Sequence, residues 1–256
     1  MNDLEIHTAA ETAPAVSGLT QWQRVTNIFS APSKTFEDIK RGNRSWWMPL
    51  IIASLAAYIL FTAITLKIGW QQTVDNLMRM DPKTEEKLAQ MPPEQRAATN
   101  KITLYSTEGS FAATPVLILA VVALGSLGLW ATINFVFGGK ATYGAVFAVW
   151  MFATLPDIIK SLLGAIVIFA GEVPESFNLK NPAPTNLGAF LNPVETHKAI
   201  YMLATSLDAV SIWSMVLLGI GVATVAGVKR TSGYIAVFGW WAIFVLIGVG
   251  WAAMTA

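Results

Sequence analysis

Three ionisable residues fall where ionisable residues are expensive. Asp157 and Lys160 stand three apart inside an otherwise apolar stretch, and Asp208 opens another. On a helix, residues three apart share a face, so Asp157 and Lys160 form a candidate acid–base pair. Helix rise puts Lys160 about 5 Å beyond Asp157, toward the end from which Asp208 enters the next apolar run. Asp157, Lys160 and Asp208 are therefore expected in one charged cluster in the outer half of a helix bundle. Such a cluster inside a membrane has two chemistries open to it: an ion or proton relay, or an ion pair that fixes two helices in register. One base and two acids without a histidine make a poor pathway, which favours the structural role.

Other chemistries fall away quickly. The chain has no Gly-x-Ser-x-Gly elbow, no His-Glu-x-x-His and no Walker-type glycine loop, patterns on which hydrolases, zinc proteases and ATPases depend. It has no cysteine and only His7 and His197, so disulfides and thiolate metal sites are excluded and no metal or cofactor is expected. A net charge of +1 without a basic stripe leaves nucleic acid no electrostatic footprint. The expectation is a non-enzymatic protein.

The elements that must position the cluster follow from composition. Of 256 residues, 54% are hydrophobic and 13% charged, half the about 25% charged content of soluble domains. Charge-free runs cover Ser45–Leu66, Gly109–Gly139, Ala209–Val228 and Thr231–Ala256, each meeting the about 20 residues that a bilayer core requires. Five spans are predicted, at about 46–68, 112–137, 143–170, 203–227 and 233–254. The third holds Pro156, Asp157 and Lys160, yet Ala141–Pro156 and Ser161–Gly171 are too apolar to stay in water. Insertion scales set about +2.5–3.5 kcal/mol for each charge against about −0.3 to −0.6 for each Leu, Ile, Phe or Val.

Outside the spans, residues 1–18 lack periodic apolar positions and read as a disordered tail; with no apolar signal core there, the first span is expected to direct insertion. Residues 19–42 predict two short amphipathic helices broken at Ala31-Pro32. Their apolar face carries Trp22, Val25, Phe29, Phe36 and Ile39, with Arg24 assigned to the opposite side, a pattern that suits an interfacial pair lying aromatic side down. Residues 71–108 predict a polar helical hairpin with a solvated, mixed-charge face. Gly219, Ala223 and Gly227 repeat every four residues, the spacing of a close helix-packing seam, and Asn134 is placed for an interhelical hydrogen bond. The fold class is thus all-α: a polytopic bundle of five membrane helices, an interfacial N-terminal pair and an extramembrane hairpin between spans one and two. Lys34, Lys40, Arg41, Arg44, Lys140, Lys229 and Arg230 fall on one side if the spans alternate, which predicts a cytoplasmic N-terminus and an external C-terminus. Two functional readings follow: a scaffold that organises the bilayer or binds a membrane-protein partner or a second copy of itself, and a small transporter or channel that works through the Asp157/Lys160/Asp208 cluster.

A series of short signatures also occurs in a familiar order. Arg24-Val25-Thr26-Asn27-Ile28-Phe29-Ser30-Ala31-Pro32-Ser33-Lys34-Thr35-Phe36 leads to Trp46-Trp47-Met48-Pro49. Then come Tyr143, Ala153-Thr154-Leu155-Pro156, Leu207-Asp208-Ala209-Val210-Ser211-Ile212-Trp213-Ser214 and Gly219-Ile220-Gly221. Over roughly residues 20–250 the sequence resembles the Yip (Ypt-interacting protein) family in its bacterial branch. The resemblance implies a five-span protein, here of a bacterial cytoplasmic membrane, with its N-terminus in the cytoplasm. Eukaryotic members bind prenylated Rab-type GTPases. The tail here lacks their Asp-Leu-Ala-Gly-Pro-like motif, so small-GTPase binding does not carry over and no functional residue transfers by position.

Overall fold

The computed structural model describes residues 18–255. The predicted tail therefore falls, up to residue 17, outside the described residues. These form α-helices joined by short 3-10 and π turns, with no β-strand among the described residues and a single isolated bridge between Asn186 and Asp208. Five helical segments are long and apolar enough to cross a bilayer: Trp47–Ile68, Thr114–Val136, Tyr143–Phe169, Ala209–Ala226 and Arg230–Met254.

Two N-terminal helices come first, α1 (Gln21–Ser30) and α2 (Pro32–Lys40). Thr20 and Gln23 close a capping box at the start of α1, and Pro32 opens α2 where a missing N–H leaves no bond unmade. The first span is α3 (Trp47–Ala63) with a π turn at Ile64–Ile68. Next come α4 (Trp70–Arg79), α5 (Pro82–Gln90) and α6 (Pro93–Ala112), which fill the predicted hairpin. The second span is α7 (Thr114–Ala131), extended by a π turn at Thr132–Val136. The third is split into α8 (Tyr143–Ala153) and α9 (Ile158–Phe169) by a 3-10 turn over Leu155–Asp157, as a proline in mid-helix requires. α10 (Lys198–Ser206), α11 (Ala209–Ala226) and α12 (Arg230–Met254) complete the chain.

The fourth span starts later than its apolar run suggests. Leu203–Ser206 belong to α10, and the chain breaks at Leu207 because the Asp208 carboxylate accepts a hydrogen bond from Ser211 N at 2.7 Å and restarts the helix as its cap. α11 packs against α12, α8 and α2, while α3 packs against α9 and α7. The largest core lies among α1, α2, α8 and α11, around Ile28, Phe36, Ile39, Val149, Phe152 and Val222. Those contacts divide the face that the sequence aims at the headgroups. Val25, Phe36 and Ile39 are buried against protein, Trp22 stays 64% exposed, and Phe29 sets its ring edge-on to Trp213. Arg24, expected on the polar side, is wholly buried.

Two ends of the bundle are thereby defined. The N-terminal face carries α1, α2, the 137–142 turn and the α11–α12 link, where the Arg230 guanidinium approaches Ser33 Oγ at 3.5 Å. The hairpin face carries α4–α6 and the 172–197 loop. Asn76, buried in α4, donates to the carbonyls of Pro174 and Phe177 at 2.7 and 2.9 Å. Lys198 bonds Asp81 at 2.9 Å and the Thr255 carbonyl at 3.2 Å, which ties hairpin, α10 and the end of α12 together.

Candidate functional site: a charged cluster between spans three and four

Asp157 closes the 3-10 turn and Lys160 lies in the first turn of α9. Their side chains meet at 2.8 Å, and the Lys160 ammonium stands 4.0 Å from Asp208 Oδ1 across to α11. Hydroxyls add further bonds. Lys160 donates to Ser211 Oγ at 2.8 Å, Ser214 donates to Asp157 Oδ2 at 3.0 Å, and Thr185 donates to Asp208. The three residues singled out from the sequence are thus brought together. Ser211, Ser214 and Thr185 were not singled out. The two serines are legible after the fact, since they lie three and six residues beyond Asp208 on one helix face; Thr185 comes from the distant loop and carried no signal.

That loop descends into the bundle. The Ala209 N–H bonds the Thr185 carbonyl at 3.0 Å, Ala183 is buried, and Pro182 packs over Gly164 and Leu60. A Cβ at Gly164 would lie 3.2 Å from Pro182 Cβ, so a larger residue there would push the loop outward by a few tenths of an ångström. Irregular backbone at membrane depth must be buried in protein or line a wet cavity. A cavity of about 270 Å³, lined by Lys160, Lys180, Asn181, Asn186, Thr205 and Asp208, lies beneath the loop. On the other side of Asp157 is an apolar groove of about 410 Å³ formed by Ala53, Ala57, Leu117, Val121 and Trp150. The ion pair therefore divides a polar vestibule on the hairpin side from an apolar groove between α3, α7 and α8. Toward the N-terminal face lie Phe152, Leu155, Val149 and Phe36, all fully buried in the main core.

A second polar centre, not anticipated from the sequence, holds the N-terminal pair. Arg24 donates to Ser45 O at 2.6 Å, Asn43 O at 2.8 Å and Asn43 Oδ1 at 3.3 Å. Its Nε stands 3.5 Å from Asp38, and the guanidinium lies 4.3 Å over the Phe152 ring. Asp38, also buried, accepts from Leu19 N and Asn43 Nδ2. Burial pushes the Arg24 guanidinium down to about 10, and the Asp38 charge offsets only part of that. A signal existed in the spacing: Arg24 and Ile28 are four apart, on the face that carries Val25.

The small-residue seam is partly redrawn. Gly219 and Ala223 face Gly233 of α12: a Cβ added at Gly233 would strike the Gly219 carbonyl and approach Ala223 Cβ to 2.9 Å. Gly227 takes no part in packing; with φ at +71° and open space around it, it terminates α11 in a left-handed cap. Asn134 likewise bonds both backbone groups of Ala141 in the following turn and reaches no other helix. Among the described residues no three His, Asp or Glu side chains converge to hold a metal ion.

The Yip1 domain model matches residues 26–252. The membrane protein YknW of Bacillus subtilis (strain 168) is 25% identical over 216 residues, covering 84% of this chain and 84% of that protein. No solved structure matches. The match begins within α1, ends within α12 and takes in the charged cluster between spans three and four, so the chain belongs to the Yip1-domain family of membrane proteins.

Proposed function

We propose that this protein is a non-enzymatic member of the family that works by association, organising the surrounding bilayer or binding a membrane-protein partner or a second copy of itself. Its N-terminal face lies in the cytoplasm and its C-terminus outside, in a bacterial inner membrane; the seven Lys and Arg on the N-terminal face support that orientation. The observation that carries the reading is the internal pairing of the charged cluster. Asp157, Lys160 and Asp208 take their partners from one another and from Ser211, Ser214 and Thr185. On the N-terminal side, the buried apolar side chains of Val149, Phe152 and Leu155 precede the next polar centre, where Arg24 is already engaged by Asp38, Asn43 and Ser45. A relay needs polar groups or water on both sides of its titrating residue, and this apolar layer interrupts one side. The hairpin, by contrast, offers surface for association: α6 has no buried residue, and Ile102 and Tyr105 stand exposed along one side of it.

The test is reconstitution of the purified protein into liposomes loaded with a pH-sensitive dye. The associative reading predicts no proton or ion flux above empty vesicles under an imposed gradient. Flux that disappears in Asp157→Asn would overturn it in favour of a small transporter or channel.

A further inference from the structure

We propose that the N-terminal face is a docking surface for the headgroups of acidic phospholipids. This goes beyond the associative reading and does not depend on it. Three stretches far apart in sequence bring their bases to this end of the bundle, all of them exposed: Lys34 and Lys40 from α2 with Arg41 and Arg44 just after it, Lys140 from the turn after α7, and Lys229 with Arg230 from the α11–α12 link. The fold holds them together. Lys140 N bonds the Ala226 carbonyl at 3.0 Å, Arg230 reaches Ser33 Oγ, and Arg44 lies against Gly144 at the start of α8.

Their charge is not cancelled locally. Of the two acids in α2, Asp38 is buried and already engaged by Arg24 and Asn43, with Arg41 at 3.5 Å. That leaves Glu37 as the exposed acid of this face among the described residues. On the hairpin face the pattern is opposite: Lys83, Glu85, Glu86 and Lys87 alternate along α5, and Asp81 takes Lys198. A clustered positive field raises the local concentration of anions, and an alternating one does not. Trp22 adds a depth marker, because an indole exposed on an amphipathic helix prefers the headgroup level. It belongs to the same helix pair as Lys34 and Lys40, so those ammonium groups sit where lipid phosphates sit. Each base near an anionic surface favours it by about fivefold, and the effect dies away within a Debye length of about 8–10 Å.

The experiment uses the full chain in nanodiscs made from equal parts of phosphatidylcholine and phosphatidylglycerol, with bound lipid identified by native mass spectrometry after ejection. The wild type should retain phosphatidylglycerol in excess. A variant with Lys34, Lys40, Lys140 and Lys229 each changed to Gln, positions whose side chains hold no bond to another described residue, should lose that excess by at least about tenfold. A control on the hairpin face, with Lys83, Lys87 and Arg96 changed to Gln, should keep it. Raising salt from about 0.05 to about 0.5 M should erode the wild-type preference as screening shortens the field; this arm stands even if the fourfold variant fails to fold. No preference in the wild type, a preference that salt leaves intact, or equal loss in the hairpin-face control overturns the proposal.

Discussion

The N-terminal pair and the hairpin's α6 both lie beside membrane spans, and the bundle treats them differently. α2 sends Phe36 and Ile39 into the core at 0% exposure, whereas α6 runs its whole length without a buried side chain. α6 gathers little of an apolar face along its length, unlike α1 and α2, and the surface each one meets differs as well. Gly221 leaves a hollow on α11 into which the Phe36 ring fits, and a Cβ there would crowd Phe36 to 2.9 Å and collide with Val149. α6 meets the bundle along its C-terminal half, where Leu104 packs on the cluster around Leu60 and Ile64 and Phe111 packs among Phe61 and Trp70. A helix becomes core when a neighbour supplies both a cavity for its apolar side chains and partners for its polar ones.

Arg24→Ala is the strongest way to break the comparison. It leaves Asp38 buried without its cation and strips the Ser45 and Asn43 carbonyls of their donor, so stability should fall by about 3–5 kcal/mol. The same change at Arg96 on α6 should stay within about 0.5 kcal/mol. Denaturant unfolding in detergent micelles, followed by tryptophan fluorescence, measures both. Equal effects at the two positions would mean that α1 and α2 are not part of the core. Phe36→Ala tests the apolar half of the argument. Truncating a buried phenylalanine costs about 3–5 kcal/mol including the cavity left behind, against less than about 0.5 kcal/mol for Ile102→Ala on α6.

How much of this was legible in the sequence depends on whether the signal was local. The spans were, because their length and apolarity answer to the bilayer rather than to a tertiary neighbour; Trp47–Ile68 and Tyr143–Phe169 lie within a residue of the runs that predict them. The Asp157–Lys160–Asp208 grouping was legible as well, since it needs only helix rise and the alternation of spans. What escaped is what depends on packing. Arg24 looks like a surface residue until Asp38, Asn43 and Phe152 surround it. Thr185 enters the cluster from a Pro/Asn-rich loop whose descent no periodicity encodes. Gly227 shares the seam's spacing but does a different job, because only the backbone distinguishes a left-handed cap from a packing contact.

A milder test concerns the cluster itself. Asp157 and Lys160 keep about a third of their side chains exposed, at 34% and 31%, so each single change, Asp157→Asn or Lys160→Met, should cost only about 1–2 kcal/mol. Because each removes the other's partner, the double variant should be more stable than the sum of the singles implies. Strict additivity would show that the pair is not a unit.

The smallest expected effect belongs to the hairpin's own ion pair. Burial raises the Asp81 carboxyl, but the hydrogen bond and charge of Lys198, with bonds from Thr84, outweigh it and hold Asp81 below the ordinary carboxylate range. A carboxyl depressed on folding contributes stability that is present above its unfolded value, about 3.9, and disappears as pH falls through the lower folded one. With Asp81 37% exposed and Lys198 27% exposed, solvent screening limits the contribution to less than about 1 kcal/mol. Asp81→Asn should therefore lower the thermal midpoint slightly at neutral pH, and the gap should close as the buffer is taken below pH about 4. A midpoint gap for Asp81→Asn that persists unchanged in acid would mean that the residue holds the hairpin through packing at the α4–α5 turn instead of through its charge.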